Sequence, residues 1–203
     1  MSLYVPAQFS IDERADALAL IRAHAFATLI TTPAGGGEPH ITHLPLLLEV
    51  GDTLLGHMAK ANPHWQAFAD GHTVAVFHGP HAYITPSWYV EPAREVPTWN
   101  YAVVHVHGQP QLIDTAAKLG VVDTTTAAFE DPQHPWTRQV DGARLRAMLD
   151  HIIAFRIPLQ RVDAKFKMNQ NKTAADRAQV MAQLRATTHP DLHAMANWME
   201  CHE

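Results

Sequence analysis

A chain of 203 residues, 47% apolar and 17% charged, is long enough to bury a core and reads as globular, one domain with room for a small helical appendage. A formal charge of −5 gives no general attraction to nucleic acid, and a single cysteine, Cys201, excludes a disulfide framework or a cysteine metal cluster. The N-terminus lacks the basic start and apolar run of a signal peptide and no segment is apolar enough for a membrane span, so a cytoplasmic protein is expected.

In chain order, Ser10 and Glu13 form a capping-box pattern ahead of ADALALIRAHA, which predicts a helix over about 11–24. FATLITT (26–32) is rich in β-formers and ends at Pro33 and a run of glycines, a strand and its turn. HITHLPLLLEV (40–50), the Gly-Asp turn and TLLGHM (53–58) predict a hairpin. NPHWQAFADG (62–71) predicts a short helix capped by Asn62 with Pro63 in its first position. TVAVFHG (73–79) and WNYAVVHVHGQPQLI (99–113) bring the strands to at least five. Asp114 is placed to cap a helix running to about 130, GARLRAMLDHI (142–152) has helical period, and IAFRIPLQRV (153–162) returns as a strand with a proline at its edge. Thr173 with Asp176 opens a further helix, and DLHAMANWME makes a short terminal one. Many short adjacent strands with few helices between them predict an α+β fold around an antiparallel barrel, and no glycine-rich fingerprint supports a doubly wound sheet.

Charge and chemistry concentrate late in the chain. Between Arg156 and His189 lie seven of the fifteen lysines and arginines against two aspartates, so this segment is locally basic and the remainder strongly acidic. Fifteen histidines raise the question of a metal, but His105 and His107 share a strand face, His40 and His43 fall on opposite faces, and no HExxH or paired cysteine is present. Hydrogen-bonded strand histidines are expected instead, with no metal site. Ser87 sits between Pro86 and Trp88, outside any nucleophile elbow, so no hydrolase is expected. Two segments stand out. HGPHAYITPSWY (78–89) and VPTWNY (96–101) interleave Trp88, Tyr89, Trp99 and Tyr101 with proline, hydroxyl and amide residues, as a flat-ligand pocket or a subunit interface requires. KFKMNQNK (165–172) puts Lys165 and Lys167 on one side of an extended segment, with Gln170 and Asn171 just before a capped helix start, a phosphate-binding corner.

YVPAQF (4–9), HLPLLLE (43–49), GHMAKANPHW (56–65), GPHAYITPSWY (79–89), VPTWNY (96–101), VHVHG (104–108) and KFKMNQNKTAADR (165–177) occur in the order of the PaiB-like family, FMN-binding negative transcriptional regulators. The chain resembles that family from about residue 3 to 186. The resemblance implies a split β-barrel of the pyridoxamine-phosphate-oxidase and flavin-reductase kind with peripheral helices, covering 1–186, followed by a helical tail over 187–203. It also implies a homodimer with FMN near the subunit interface, and repression of sporulation and degradative-enzyme genes. The last motif departs from the family's KWKLSQNR: Phe166, Met168, Asn169 and Lys172 stand where Trp, Leu, Ser and Arg are usual, and Lys172 offers charge without a bidentate fork.

On this resemblance the cofactor's ring or ribityl chain is expected against His43, Leu44, Pro45, His57, Met58 and Ala59, and its phosphate at Lys60, Lys165, Lys167, Gln170 or Asn171. Trp88, Trp99 and Asn100 are expected from a partner copy. DNA contact would run through 156–185, although the helix from Thr173 carries only Arg177 and Arg185, far short of a recognition helix. Two other functions fit a flavin barrel: an FMN-dependent oxidoreductase, for which no residue stands out as an obligatory acid or base and His57 and His81 are only candidates, and a haem-binding or haem-degrading protein that draws an axial ligand from the histidines.

Overall fold

The computed structural model describes residues 3–9 and 14–202. The chain folds as two compact units, one of 25–77 and 106–162, the other of 1–24, 78–105 and 163–203.

In the 25–77/106–162 unit, β1 (Phe26–Thr32) pairs antiparallel with β2 (His40–Pro45), from Phe26↔Pro45 to Thr31↔His40. On its other side it pairs with the start of β5 (His72–Ile84), from Thr28↔Val76 to Thr32↔His72. A second antiparallel sheet runs in the order β3 (Leu47–Glu49), β4 (Thr53–Ala59), β8 (Ile152–Pro158), β7 (Gln111–Leu112). The β3–β4 hairpin turns at Gly51 (φ 89°) and Asp52 (φ 56°), left-handed positions that glycine takes freely and aspartate tolerates. Helices α2 (Lys118–Phe129) and α3 (Gly142–Asp150) pack on the second sheet. Alternating apolar positions of both sheets meet inside: Leu29, Leu46, Leu54, Phe77 and Phe155 are fully buried, and Phe68 meets Phe155 edge to face at 5.0 Å.

The other unit carries the end of β5 beside most of β6 (Thr98–His107), which in turn adjoins β9 (Arg161–Lys167). Helices α1 (Arg14–Ala23), α4 (Ala174–Ala186) and α5 (Pro190–Cys201) belong to it, and α5 packs on α4. Leu20, Ile84, Phe166, Met168, Leu184 and Met199 fill its core.

Two expected strands divide. The 40–50 run breaks after Pro45 into β2 and β3, which belong to different sheets, and 153–162 breaks after Pro158, with β9 in a separate sheet from β8. Proline brings no N–H to a ladder, so the chain changes partner where it stands. Asn62 caps a 3-10 turn, Pro63–Phe68, by accepting from the His64 N–H, and Thr173 caps α4 by accepting from the Asp176 N–H, both as the sequence predicts. Asp114 makes no side-chain cap: a 3-10 turn, Thr115–Ala117, precedes α2. The Ser10–Glu13 pattern lies outside the described residues.

Candidate functional site

The change of partner at Leu46 makes a fork. Up to Pro45 the strand pairs with β1; Leu46 donates its N–H to Ala25 O (2.8 Å); from Leu47 the strand pairs with β4. Had the β3–β4 ladder continued, Leu46 to His43 would have paired with Gly56 to Ala59. Among the described strands, Gly56–Ala59 therefore pair on the β8 side alone, and the departing β2 packs beside their other edge. Gly56 permits this crossing, because a Cβ there would meet Leu46 Cδ2 at 2.5 Å and Pro45 O at 3.3 Å.

Side chains alternate along both arms. Leu44 and Met58 point into the core, so only their main chains face the fork, while His43, Pro45, His57 and Ala59 are wholly or partly exposed. The His43 ring nitrogen Nδ1 is 3.1 Å from Thr28 Oγ1. Burial lowers the His57 pKa, so its imidazole is neutral at pH 7. At the end of β4, Lys60 is exposed but its main chain is clamped: its N–H donates to His151 O (2.8 Å) and its carbonyl accepts from Trp65 Nε1 (3.1 Å).

The remaining expected residues lie in the other unit. Trp99 is 54% exposed, with Tyr83 and His81 beside it at 5.9 and 6.2 Å, on a trough of about 370 Å³ that Trp88 also lines. Asn100 is fully buried; its Nδ2 lies 3.7 Å from Met199 Sδ, and its Oδ1 has no hydrogen-bond partner among the described residues. Lys165 is buried with its ammonium 5.4 Å from the rings of both Tyr4 and Tyr101. Lys167 donates to Thr98 Oγ1 and to Trp99 O (2.7 Å), and burial together with Lys165 and Lys172 lowers its pKa. Gln170 folds its amide back onto the Met168 N–H and Phe166 O, and Asn171 is exposed.

A family model described as "Putative FMN-binding domain" matches residues 3–161. The "Protease synthase and sporulation protein PAI 2" of Bacillus subtilis (strain 168) is 32% identical over 98% of this chain and 97% of its own length. The chain belongs to the FMN-binding, PaiB-like family. FMN is the cofactor of its domain, and the fork fits it. A half-paired strand edge offers main-chain donors and acceptors of the kind the rim of a flat ring needs, and Lys60, exposed and with its main chain held, puts a cation at the end of that edge.

Among solved structures, the flavocytochrome Anf3 from Azotobacter vinelandii matches with a TM-score of 0.64 at 16% identity, over 84% of this chain and 75% of that one. The FAD and heme binding protein from Mycobacterium smegmatis matches with a TM-score of 0.62 at 17% identity, over 83% and 78%. Likeness at this identity shows the fold, and the PaiB-like chain is an α+β split β-barrel, with two antiparallel sheets, helices, and no closed cylinder among the described residues. No helix among the described residues is long and apolar enough to cross a membrane.

Sequence reasoning missed a buried polar chain next to the fork, Asn62–Thr42–His64–Thr31–Thr73. The motif NPHW signalled a cap, but nothing in it signalled that the histidine would span two strands.

Proposed function

We propose that this PaiB-like protein is a flavin-carrying negative regulator of transcription that acts as a cytoplasmic homodimer and takes FMN at the fork between β2 and β4. The half-paired edge of β4 at Gly56–Ala59, beside His43–Pro45 and ending in Lys60, carries the reading. Bound FMN supplies reversible redox chemistry. The main chain of 56–59 and the neutral His57 hold the ring's polar rim, and Lys60 neutralises the phosphate. Trp88, Trp99 and Asn171 of a partner copy cover what remains exposed, while Asn100, Lys165, Lys167 and Gln170 support the unit that presents them.

Regulation is indirect in this reading, because the basic segment is already engaged. Arg156 pairs with Glu49, Lys172 with Glu95 and Arg185 with Glu200. Arg161 bonds His107, Arg177 donates to Met199 O and His202 O, and Lys165 and Lys167 are held as described. A surface that releases counterions from duplex needs cations that face the phosphates. In a gel shift with salt titration, the purified protein is expected to show no specific retardation of its own upstream region. A specific complex whose affinity falls steeply with salt would restore direct DNA contact.

The cofactor placement is tested by the visible spectrum before and after dithionite and by titration of flavin-free protein. The protein is expected to bind FMN, and Lys60→Ala is expected to weaken FMN about tenfold or more, the worth of one charge-assisted hydrogen bond, without weakening riboflavin. A colourless protein that takes up no FMN sinks the reading. A second reading, an FMN-dependent oxidoreductase, draws on His57 at the fork, an imidazole that burial keeps neutral and that can therefore accept a proton. Steady NADH or NADPH oxidation with bound FMN would favour it.

A further inference from the structure

We propose that His64 is a positioning residue for the cofactor phosphate: through Thr42 and Asn62 it fixes the turn that carries Lys60 against β2. The inference rests on the reading that Lys60 meets that phosphate.

His64 is 1% exposed in its 3-10 turn. Its Nδ1 lies 2.8 Å from Thr42 Oγ1 on β2 and its Nε2 2.8 Å from Thr31 Oγ1 on β1, which is itself 2.8 Å from Thr73 Oγ1 on β5. Thr42 receives a second bond, from Asn62 Nδ2 (3.0 Å), and Asn62 Oδ1 accepts the His64 N–H (3.0 Å). The ring of hydrogen bonds closes on itself: imidazole to Thr42, Thr42 to Asn62, Asn62 back to the His64 main chain. Asn62 in turn closes the Lys60 turn through its N–H to Ala59 O (3.0 Å).

Histidine suits this place because a neutral imidazole donates at one nitrogen and accepts at the other, bridging two hydroxyls on adjacent strands. Burial and the stacked His40 ring, 5.6 Å away, keep it neutral. The network thus ties the Lys60 turn to the residue next to His43, so both arms of the fork share one anchor. Preorganised in this way, the lysine loses less freedom on meeting an anion.

Riboflavin carries the ring and ribityl chain of FMN without the phosphate, so the two ligands separate positioning from folding. Full-length protein freed of flavin is titrated with each, for wild type, His64→Phe, His64→Gln, Thr42→Val, Lys60→Ala and Lys60→Ala/His64→Phe. His64→Phe and Thr42→Val are expected to weaken FMN several-fold and leave riboflavin within twofold, with His64→Gln restoring part of the loss. In the Lys60→Ala background His64→Phe is expected to cost FMN nothing further. Equal losses for both flavins, or full additivity with Lys60→Ala, would assign His64 a merely structural role and overturn the inference. If His64→Phe does not fold, Thr42→Val decides by the same readout. A loss on Lys60→Ala with none on Thr42→Val overturns this inference alone, whereas FMN binding indifferent to Lys60→Ala overturns the placement of the phosphate as well.

Discussion

Gly108→Ala is expected to destabilise the 25–77/106–162 unit by about 3 kcal/mol or more, the upper range for overpacking a filled site. A Cβ at Gly108 would sit 2.1 Å from Pro158 O and 2.7 Å from Ile157 Cγ2. The first of these is main chain, and that main chain cannot retreat. Pro158 is the last β8 residue in register with β4, opposite Thr53. The next two residues are pinned, Leu159 N–H to Asp52 O at 2.9 Å and Gln160 N–H to His107 O at 3.0 Å. Gly108 is therefore needed for close approach and not for a left-handed backbone, so every larger residue fails in the same way. Gly120→Ala is the matching control. A Cβ there meets nothing within 4 Å, and a glycine inside α2 costs the helix about 1 kcal/mol relative to alanine, so this change should stabilise. Urea midpoints of the two variants that move in the same direction would contradict the close-approach argument.

Local signals in the sequence located most elements, and partner choice escaped them. The strand at Phe26–Thr32 matches its expected bounds, because β-forming composition and the proline and glycine that end it are both local. The Asn62 and Thr173 caps were legible for the same reason. The fork was not: residues on either side of Leu46 are equally β-like, and which strand each half pairs with depends on residues far along the chain. The basic segment shows the same limit. Its charges were visible, but the glutamates that engage Arg156 and Lys172 lie 107 and 77 positions away. Spacing correctly placed Lys165 and Lys167 on one side of a strand; it carried no sign that the Lys167 ammonium would serve a backbone carbonyl. Among fifteen histidines, nothing marked His64 except its place after Asn62 and Pro63.

That buried histidine also makes stability depend on pH. An unfolded histidine takes up a proton near 6.5, whereas burial, aided by the stacked His40, pushes His64 in the folded protein down to about 4. Between those values the unfolded chain binds more protons, so stability rises with pH there. The contribution is complete above 6.5 and is lost as pH falls toward 4. At about 1.4 kcal/mol per pH unit, His64 accounts for at most about 2 kcal/mol between pH 7.5 and 5. His24 and His57, whose pKa values burial also lowers, act in the same direction. Asp131 and Asp176 do not interfere, since both are held below the ordinary 3.8 by hydrogen bonds and stay ionised throughout this window. Urea unfolding of wild type at pH 7.5 and 5 should therefore show a loss that His64→Gln reduces by up to that amount, because glutamine can fill both hydrogen-bond roles without taking up a proton. The variant should lag behind wild type at pH 7.5 and narrow the gap at pH 5. An unchanged difference between the two pH values would mean that the imidazole between Thr31 and Thr42 is protonated as easily folded as unfolded, and a cation there could not accept from either hydroxyl.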